Sequence, residues 1–209
     1  MLSALNLGDI FTLLACLVVS MAAHEAMHAF MARALGDTTA EDAGRLTLNP
    51  LRHIDPITTL LLPVVSLLVF RVPFLAAKPV PFNPNRVRYG EMGAALVGIA
   101  GPCTNFVLAA LSAVFIKVGG IANDVSLFNI LTLFMEVNIA LFVFNMIPFP
   151  PLDGSRLLYA FAPEPLQELM SRIEAAGFMA ILIFIVLFFP FISPFIVNID
   201  NGIFNFLLR

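Results

Sequence analysis

Residues 9–33, DIFTLLACLVVSMAAHEAMHAFMAR, combine a long apolar stretch with three side chains that an apolar environment does not tolerate unpaired. His24, Glu25 and His28 are the only residues of the Asp, Glu, His, Lys and Arg types between positions 10 and 32. An α-helix of this length spans roughly 30 Å, the thickness of the hydrocarbon core of a membrane. Because ionisable side chains are costly at that depth, each of the three must have a partner there.

The spacing of the two histidines indicates a metal ion as that partner. In a helix, His24 and His28 lie about 6 Å apart along one face, where two imidazoles can bind one zinc ion. Glu25 lies beside them as a general base for water, which completes the His-Glu-x-x-His arrangement of zinc hydrolases. A lone buried histidine more often satisfies a neighbour's hydrogen bond. Two imidazoles and a carboxylate within five residues need more partners than a lipid-facing helix supplies.

The composition is that of a polytopic membrane protein. Of the 209 residues, 60% are hydrophobic and 12% are charged, and apolar runs of near-span length recur along the chain. We interpret residues 1–209 as one integral-membrane domain whose first helix is permanent rather than a cleaved signal. The net charge of -3, with scattered basic residues, argues against a nucleic-acid partner. Cys16 and Cys103 lie in apolar helices as small hydrophobes, and no disulfide is expected.

The predicted fold class is all-α, with about four to six membrane helices. After the first helix, the apolar pattern predicts a long helix over 90–118 that Pro102 bends, a span over 126–147 and a further span over 173–189. Residues 190–209 are either a final short span or an interfacial segment.

A short re-entrant or β-strand region is predicted between the first and the middle helix. Residues 44–50 have the pattern of a short strand closed by a turn. The piece 77–83 is predicted to be an edge strand, because its prolines remove every second amide donor. Residues 54–70 form an apolar run with a proline in its middle, which either crosses the membrane or enters it and returns.

Basic residues decide between these two topologies, because they collect on the cytoplasmic side of membranes. If residues 54–70 cross, the 11 Lys and Arg residues divide five to six between the two sides. If these residues re-enter, nine of the 11 lie on the side toward which the first helix runs. The re-entrant topology is therefore favoured, and it places both histidines and the end of the span over 126–147 toward the cytoplasm.

A catalytic zinc takes a third protein ligand and keeps one position for water. Asp153 follows a proline-broken helix end on the side that the histidines occupy, whereas Glu136 lies too deep in its span. The sequence Pro-Pro-Leu-Asp-Gly alone is typical of an ordinary turn, and the presence of His24 and His28 is what makes Asp153 the predicted ligand. His53 is interpreted as a structural hydrogen-bonding residue of a loop.

Three motifs lie in order along the chain, each on a predicted membrane helix: HEAMH at residues 24–28, AGPCTN at 100–105 and NMIPFPPLDG at 145–154. Together they resemble the site-2 protease family of intramembrane zinc metalloproteases. The resemblance covers about residues 9–160, which would form the catalytic core, followed by C-terminal helices over 172–209.

The resemblance implies an active site. It implies one zinc ion per chain, with His24, His28 and Asp153 as ligands and Glu25 as the general base. Five further residues, near the active site or in the edge-strand region, are implied in substrate binding: Asn105, Asn145, Lys78, Val80 and Phe82.

The implied partners are the lipid bilayer and a single-span membrane protein as substrate. Because the amides of a transmembrane helix are paired internally, the substrate must unwind, and it could then add as a strand to the edge near 77–83. We expect no PDZ domain, as in the short bacterial or archaeal branch of the family. The expected location is a prokaryotic cell membrane, with the active site open toward the cytoplasm.

Two other functions stay open at this point. An ion- or proton-coupled transporter could also use buried His, Glu and Asp side chains, although the two halves of the chain have no inverted pairing of broken helices. A non-catalytic homologue that only binds a partner is the other alternative, and the intact His-Glu-x-x-His motif argues against it. The sequence predicts neither the identity of the substrate nor the oligomeric state.

Overall fold

The computed structural model describes residues 7–53, 80–119 and 124–209. Within these ranges the chain forms eight α-helices, two 3-10 turns at Pro50–Arg52 and Pro84–Arg86, and no strand. The helices are α1 (Leu7–Ala34), α2 (Thr39–Asp42), α3 (Gly90–Val118), α4 (Val125–Asn145), α5 (Gly154–Phe161), α6 (Glu164–Ala175), α7 (Phe178–Leu187) and α8 (Phe189–Leu208).

Four of these helices, α1, α3, α4 and α8, are long and apolar enough to cross a membrane. The prediction of an all-α polytopic membrane protein is therefore confirmed, and four spans lie within the predicted number. The last segment of the chain, for which the sequence left two alternatives, forms the 20-residue helix α8 and has the length of a span.

Helix α3 is the centre of the bundle, because it contacts α1, α4, α5 and α8. In one half of α3, Ala109 and Ala113 pack against Met135, Ile139 and Val143 of α4. The small alanine side chains allow the two helices to approach closely, as is common between membrane helices. Apolar side chains of α8 cover this cluster: Ile196, Ile199, Ile203, Phe204, Leu207 and Leu208.

The other half of α3 receives the short helix α5. A Cβ atom at Gly98 would lie 2.8 Å from Cβ of Arg156 and 3.1 Å from the carbonyl oxygen of Asp153. These separations are shorter than van der Waals contact. Glycine at position 98 therefore allows the start of α5 to lie directly against α3.

The predicted strand over residues 44–50 is not observed. Gly44 adopts a positive φ of 67° in a turn, and the amide of Arg45 donates to the carbonyl of Ala40. The Asn49 side chain then accepts from the Leu51 amide and begins a 3-10 turn. Local turn chemistry thus determines this loop. In the same loop His53 is buried, with Nε2 2.8 Å from the carbonyl oxygen of Thr47, as expected of a structural residue.

The predicted single span over 173–189 is also different in the structure. Helix α6 ends at Ala175 and α7 begins at Phe178, and their axes differ in direction by 103°. Gly177, between the two helices, has a φ of 54°, which is left-handed and ends a right-handed helix. The apolar pattern continues through this break, so hydropathy alone does not detect it.

The two sides of the predicted re-entrant region lie at the same part of the molecule. Leu46, which precedes residues 54–79, and Val80, which follows them, pack in one cluster with Ala29 of α1 and Ala40 of α2. The re-entrant topology requires this arrangement. Residues 54–79 themselves, including the predicted apolar run and the first half of the predicted edge strand, lie outside the described residues, and their topology stays a prediction.

Candidate metal centre

Three side-chain ligand atoms meet between α1 and the start of α5. The Nε2 atom of His24 lies 3.0 Å from Oδ2 of Asp153 and 3.0 Å from Nε2 of His28. The distance from His28 Nε2 to the same oxygen of Asp153 is 3.4 Å. The fold therefore brings together the three residues that were predicted to be metal ligands, in a geometry that could hold one ion.

The second nitrogen of each imidazole faces a hydrogen-bond acceptor. Nδ1 of His24 lies 2.6 Å from Oδ1 of Asn105, and Nδ1 of His28 lies 2.7 Å from the carbonyl oxygen of Val97. Each acceptor requires a hydrogen on Nδ1, so a neutral ring has its lone pair on Nε2. Three electron-pair donors then face one another, and either a metal cation between them or a proton on one imidazole offsets their repulsion.

Zinc fits this group by size and by chemistry. Tetrahedral zinc with bonds of about 2.0–2.1 Å holds its ligand atoms about 3.3 Å apart, close to the separations in the structure. Two imidazoles and one carboxylate are a donor set that zinc accepts in catalytic sites. Space is provided by Gly101 of α3, because a Cβ atom there would lie 2.4 Å from Nε2 of His28 and 2.7 Å from Nε2 of His24.

Asp153 is turned toward the histidines by the local structure around it. It occupies the N-cap position of α5, yet its side chain does not cap that helix, although aspartate at this position usually does. Gly154 makes the placement possible, because a Cβ atom there would lie 2.4 Å from the carbonyl oxygen of Met146. The requirement for glycine is thus a close contact with the end of α4.

Glu25 lies next to the ligands on α1 and contacts the chain that follows the undescribed region. The amide of Val80 donates a hydrogen bond of 2.9 Å to Oε2 of Glu25. Prolines precede and follow Val80, so its amide is the single donor of that tripeptide. We name residues 80–83 the clamp segment, because its first residue holds the carboxylate of Glu25.

Two further contacts hold the clamp segment in place. The amide of Asn83 donates to Oδ2 of Asp37, in the loop after α1, at 2.6 Å. The ring of Phe82 lies beneath the guanidinium of Arg156, 5.3 Å from ring centroid to Cζ, which is a cation–π geometry. Arg156 also forms an ion pair with Glu174 of α6. The clamp segment is therefore bound both to the end of α1 and to α5.

Asp37 supplies the first prediction, which concerns stability. Burial raises the pKa of its carboxyl, but hydrogen bonds from Thr39 and Asn83 and the charge of Arg86 outweigh burial and lower the pKa below its ordinary value. A carboxyl with a lowered folded pKa stabilises the fold above its unfolded pKa of about 3.9, and this contribution is lost as pH falls through the folded pKa. Asp37→Asn should therefore lower the free energy of unfolding at pH 7 by roughly 2 kcal/mol.

The measurement is thermal unfolding in detergent between pH 3 and pH 7, with Asp42→Asn as the control. Asp42 is an exposed aspartate five residues further along the chain. We expect the stability of Asp37→Asn to approach that of the wild type as the pH falls, and Asp42→Asn to follow the wild type throughout. Equal losses in both variants at every pH would contradict the role given to Asp37.

The structure gives different positions to the residues predicted to bind substrate. Asn105 is fully buried and its amide is bonded within the protein, to His24, to Asn138 and, at 3.4 Å, to the carbonyl of Ser20. Asn145 donates to the carbonyl of Leu141 in its own helix. Val80 and Phe82 face the protein with their side chains. Lys78 lies outside the described residues. A role toward substrate stays a prediction for all five.

Four residues of the site had no role in the sequence-based prediction: Ser20, Asp37, Gly101 and Asn138. Ser20 lies one helical turn before His24 and thus on the same face, and Asn138 is a polar residue in an apolar span, so both carried a weak signal. Gly101 belongs to the AGPCTN motif but received no role of its own, and Asp37 carried no signal, because the roles of both depend on contacts with distant parts of the chain.

A bundle of membrane-length helices that brings two buried histidines and a half-buried aspartate together, with a glutamate beside them, is typical of a membrane-embedded metal-dependent hydrolase. Comparison with known proteins identifies the peptidase family to which this hydrolase belongs. The sequence profile of Peptidase family M50 matches residues 113–189, which include Asp153.

Two curated bacterial proteins are similar over most of their length. "Putative zinc metalloprotease YwhC" of Bacillus subtilis is 36% identical over 179 residues, covering 82% of this chain and 77% of the relative. "Putative zinc metalloprotease Rip2" of Mycolicibacterium smegmatis is 26% identical over 182 residues, covering 86% of this chain and 68% of the relative. No solved structure gives a significant match. The chain belongs to peptidase family M50, the site-2 protease family, which confirms the resemblance of the three motifs and favours a metalloprotease over a transporter.

Proposed function

We propose that the protein is a zinc-dependent intramembrane endopeptidase that cleaves a peptide bond in or near the transmembrane helix of a single-span membrane protein. The proposed centre holds one zinc ion per chain on His24, His28 and Asp153. The observation that carries the proposal is the convergence of three electron-pair donors inside a membrane bundle, with the carboxylate of Glu25 beside them.

In the proposed mechanism, His24, His28 and Asp153 would hold a zinc ion, which would supply Lewis-acid chemistry toward the peptide carbonyl and water near neutral pH. Glu25 is the general base, which takes a proton from the attacking water and returns it to the departing amine. The Val80 amide supports this role, because its hydrogen bond to Oε2 fixes the carboxylate. The Nδ1 contacts of His24 and His28 keep both rings turned toward Asp153.

The substrate must be extended at the bond that is cleaved, since a helical peptide has its amides paired internally. Strand addition next to the clamp segment would supply partners for an unwound chain. Two features limit this pairing: the Val80 amide is bonded to Glu25, and the neighbouring prolines have no amide hydrogen. The proposed contacts in this stretch are therefore from substrate amides to carbonyl oxygens of the protein.

The proposed orientation opens the site toward the cytoplasm. Arg33 lies in the last turn of α1, and Arg86 and Arg88 follow the clamp segment. Arg156 lies in α5, three residues after Asp153. Basic residues at the end of the bundle that carries the site support a cytoplasmic position for that end. Both relatives are bacterial, in keeping with a prokaryotic cell membrane.

The experiment that tests the proposal compares Asp153→Ala with Asp124→Ala. Asp124 caps the start of α4 by accepting from the Leu127 amide, so its loss should cost only about 1 kcal/mol of stability. We expect about one zinc per chain in the wild type and in Asp124→Ala, and a large loss of zinc in Asp153→Ala. Cleavage of single-span test substrates in lipid vesicles should follow the zinc content and stop when a chelator is added.

Two results would overturn the proposal. Full zinc content in Asp153→Ala would show that another residue completes the centre. Zinc-bound wild-type protein that cleaves none of a panel of single-span substrates, differing in helix-breaking residues, would favour the non-catalytic alternative.

A further inference from the structure

A chain of buried hydrogen bonds leads from the metal centre to α4, which supplies none of the three predicted ligands. Nδ1 of His24 lies 2.6 Å from Oδ1 of Asn105, and Nδ2 of Asn105 donates to Oδ1 of Asn138 at 2.9 Å. Nδ2 of Asn138 in turn donates to Oγ of Ser20 and to the carbonyl of Phe134, both at 2.8 Å.

We propose that Asn138, supported by Ser20, is a positioning residue of the metal centre, which acts on His24 through Asn105. Its role is to fix which nitrogen of the His24 ring carries the hydrogen. The inference rests on the metal centre proposed above and adds to it a residue from a third membrane helix.

The direction of each hydrogen bond between Asn138, Asn105 and His24 follows from one backbone carbonyl, that of Phe134. The carbonyl of Phe134 can only accept, so the amide atom of Asn138 that faces it must be the NH2 group. The oxygen of Asn138 then faces Asn105, which must present its own NH2 group in return. The carbonyl of Ser20, 3.4 Å from Nδ2 of Asn105, favours the same orientation.

The orientation of Asn105 determines the tautomer of His24. With Oδ1 of Asn105 facing Nδ1, the hydrogen of a neutral ring must lie on Nδ1 and the lone pair on Nε2. A rotated Asn105 would present NH2 to Nδ1 and transfer the ring hydrogen to Nε2. That hydrogen would point at His28 and Asp153, 3.0 Å away, and would occupy the position that a metal needs.

Because these hydrogen bonds are buried, they determine the tautomer of the His24 ring. Ser20, Asn105 and Asn138 are each 0% exposed, so water does not compete for their hydrogen bonds. An amide buried in this way is held by its partners, since an unpaired donor or acceptor at such a site is costly. Residues that orient a metal-binding histidine typically contribute 10–100-fold to metal affinity.

The test measures zinc affinity and the histidine tautomer in Asn138→Leu. The dissociation constant comes from competition with a chromophoric chelator, and the tautomer from 15N NMR of zinc-free protein at a pH where both rings are neutral. We expect zinc affinity to fall about tenfold, the lower end of the usual range for outer-sphere residues, and the His24 ring to become a mixture of tautomers. Asn138→Ala provides the same test with a smaller side chain, should leucine prevent folding.

A matched pair of serines serves as the control. Ser20→Ala removes one acceptor of Asn138. Ser112→Ala removes a hydroxyl of a buried serine in α3 that, among the described residues, donates to the carbonyl of Leu108 in its own helix. We expect a measurable loss of zinc affinity in Ser20→Ala, smaller than in Asn138→Leu, and none in Ser112→Ala.

A rescue variant separates positioning from a general structural effect. In Asn105→Asp combined with Asn138→Leu, the carboxylate offers His24 an acceptor whichever way it is turned, so the tautomer no longer depends on Asn138. We expect zinc affinity and the Nδ1-protonated signal to return in the double variant.

Three results would contradict these proposals, and each contradicts a different part. Unchanged affinity and ring signals in folded Asn138→Leu would overturn the role of Asn138. A loss that Asn105→Asp does not restore would show that Asn138 acts only through stability. Zinc-free, folded wild-type protein would overturn the metal centre itself.

Discussion

Glu25→Gln is expected to abolish proteolysis while leaving zinc in place. Glutamine keeps the shape of glutamate, and its carbonyl oxygen can still accept the hydrogen bond from the Val80 amide. It cannot accept a proton from water. The rate of cleavage should therefore fall at least about a hundredfold, as is usual when a general base is removed, with about one zinc per chain and an unchanged thermal midpoint.

Glu136→Gln is the matched control for this variant. Glu136 also lies within a membrane helix, but it is exposed on α4, and in the described part of the chain it has no hydrogen bond or ion pair with the site. Its variant should cleave at the wild-type rate. Wild-type cleavage by Glu25→Gln would remove Glu25 from the mechanism, and loss of zinc in this variant would give Glu25 a role in binding the metal.

Gly101→Ala is expected to empty the metal centre without changing any ligand. The added methyl group would lie 2.4 Å from Nε2 of His28 and 2.7 Å from Nε2 of His24, well within van der Waals contact distance. The methyl group cannot rotate away, so the rings must move from their positions opposite Asp153. We expect less than about a tenth of the wild-type zinc content, measured by metal analysis of purified protein, and no cleavage.

The same substitution at Gly202 is the control for a glycine within a membrane-length helix. Gly202 lies in α8, and a Cβ atom there would have no atom within 4 Å in the described residues, apart from the neighbouring backbone of its own helix. Gly202→Ala should keep its zinc and be slightly more stable, because alanine favours a helix by about 1 kcal/mol over glycine. Full zinc content in Gly101→Ala would mean that the ligands lie farther from α3 than the structure gives.

The parts of the site that are local in sequence could be predicted from the sequence. Helical periodicity alone places His24, Glu25 and His28 together, because the distance between residues i and i+4 is a property of the helix. Asp153 is 129 residues away from His24, and its prediction depended on the membrane as a constraint: only a carboxylate on the same side can reach the histidines.

The contacts between helices could not be predicted in this way. The role of Asn138 depends on which face of α4 meets Ser20 and Asn105, and apolar spans give little information on helix rotation, since nearly every face is hydrophobic. The same limit applies to Gly101, whose function depends on two side chains of another helix. The predictions of a strand over 44–50 and of one span over 173–189 were wrong because Gly44 and Gly177 adopt positive φ angles, which end regular secondary structure.

The clamp segment connects the two elements that carry the proposed active site, α1 and α5. Val80 holds Glu25, the proposed general base, and two residues later Phe82 lies beneath Arg156, which follows Asp153 by one helical turn. A shift of the clamp segment at Val80 therefore also changes the contact between Phe82 and Arg156. Substitutions at Val80 and Arg156 will be thermodynamically coupled, with effects that do not add. Displacement of the clamp segment would therefore loosen both Glu25, the proposed general base, and Asp153, a predicted metal ligand.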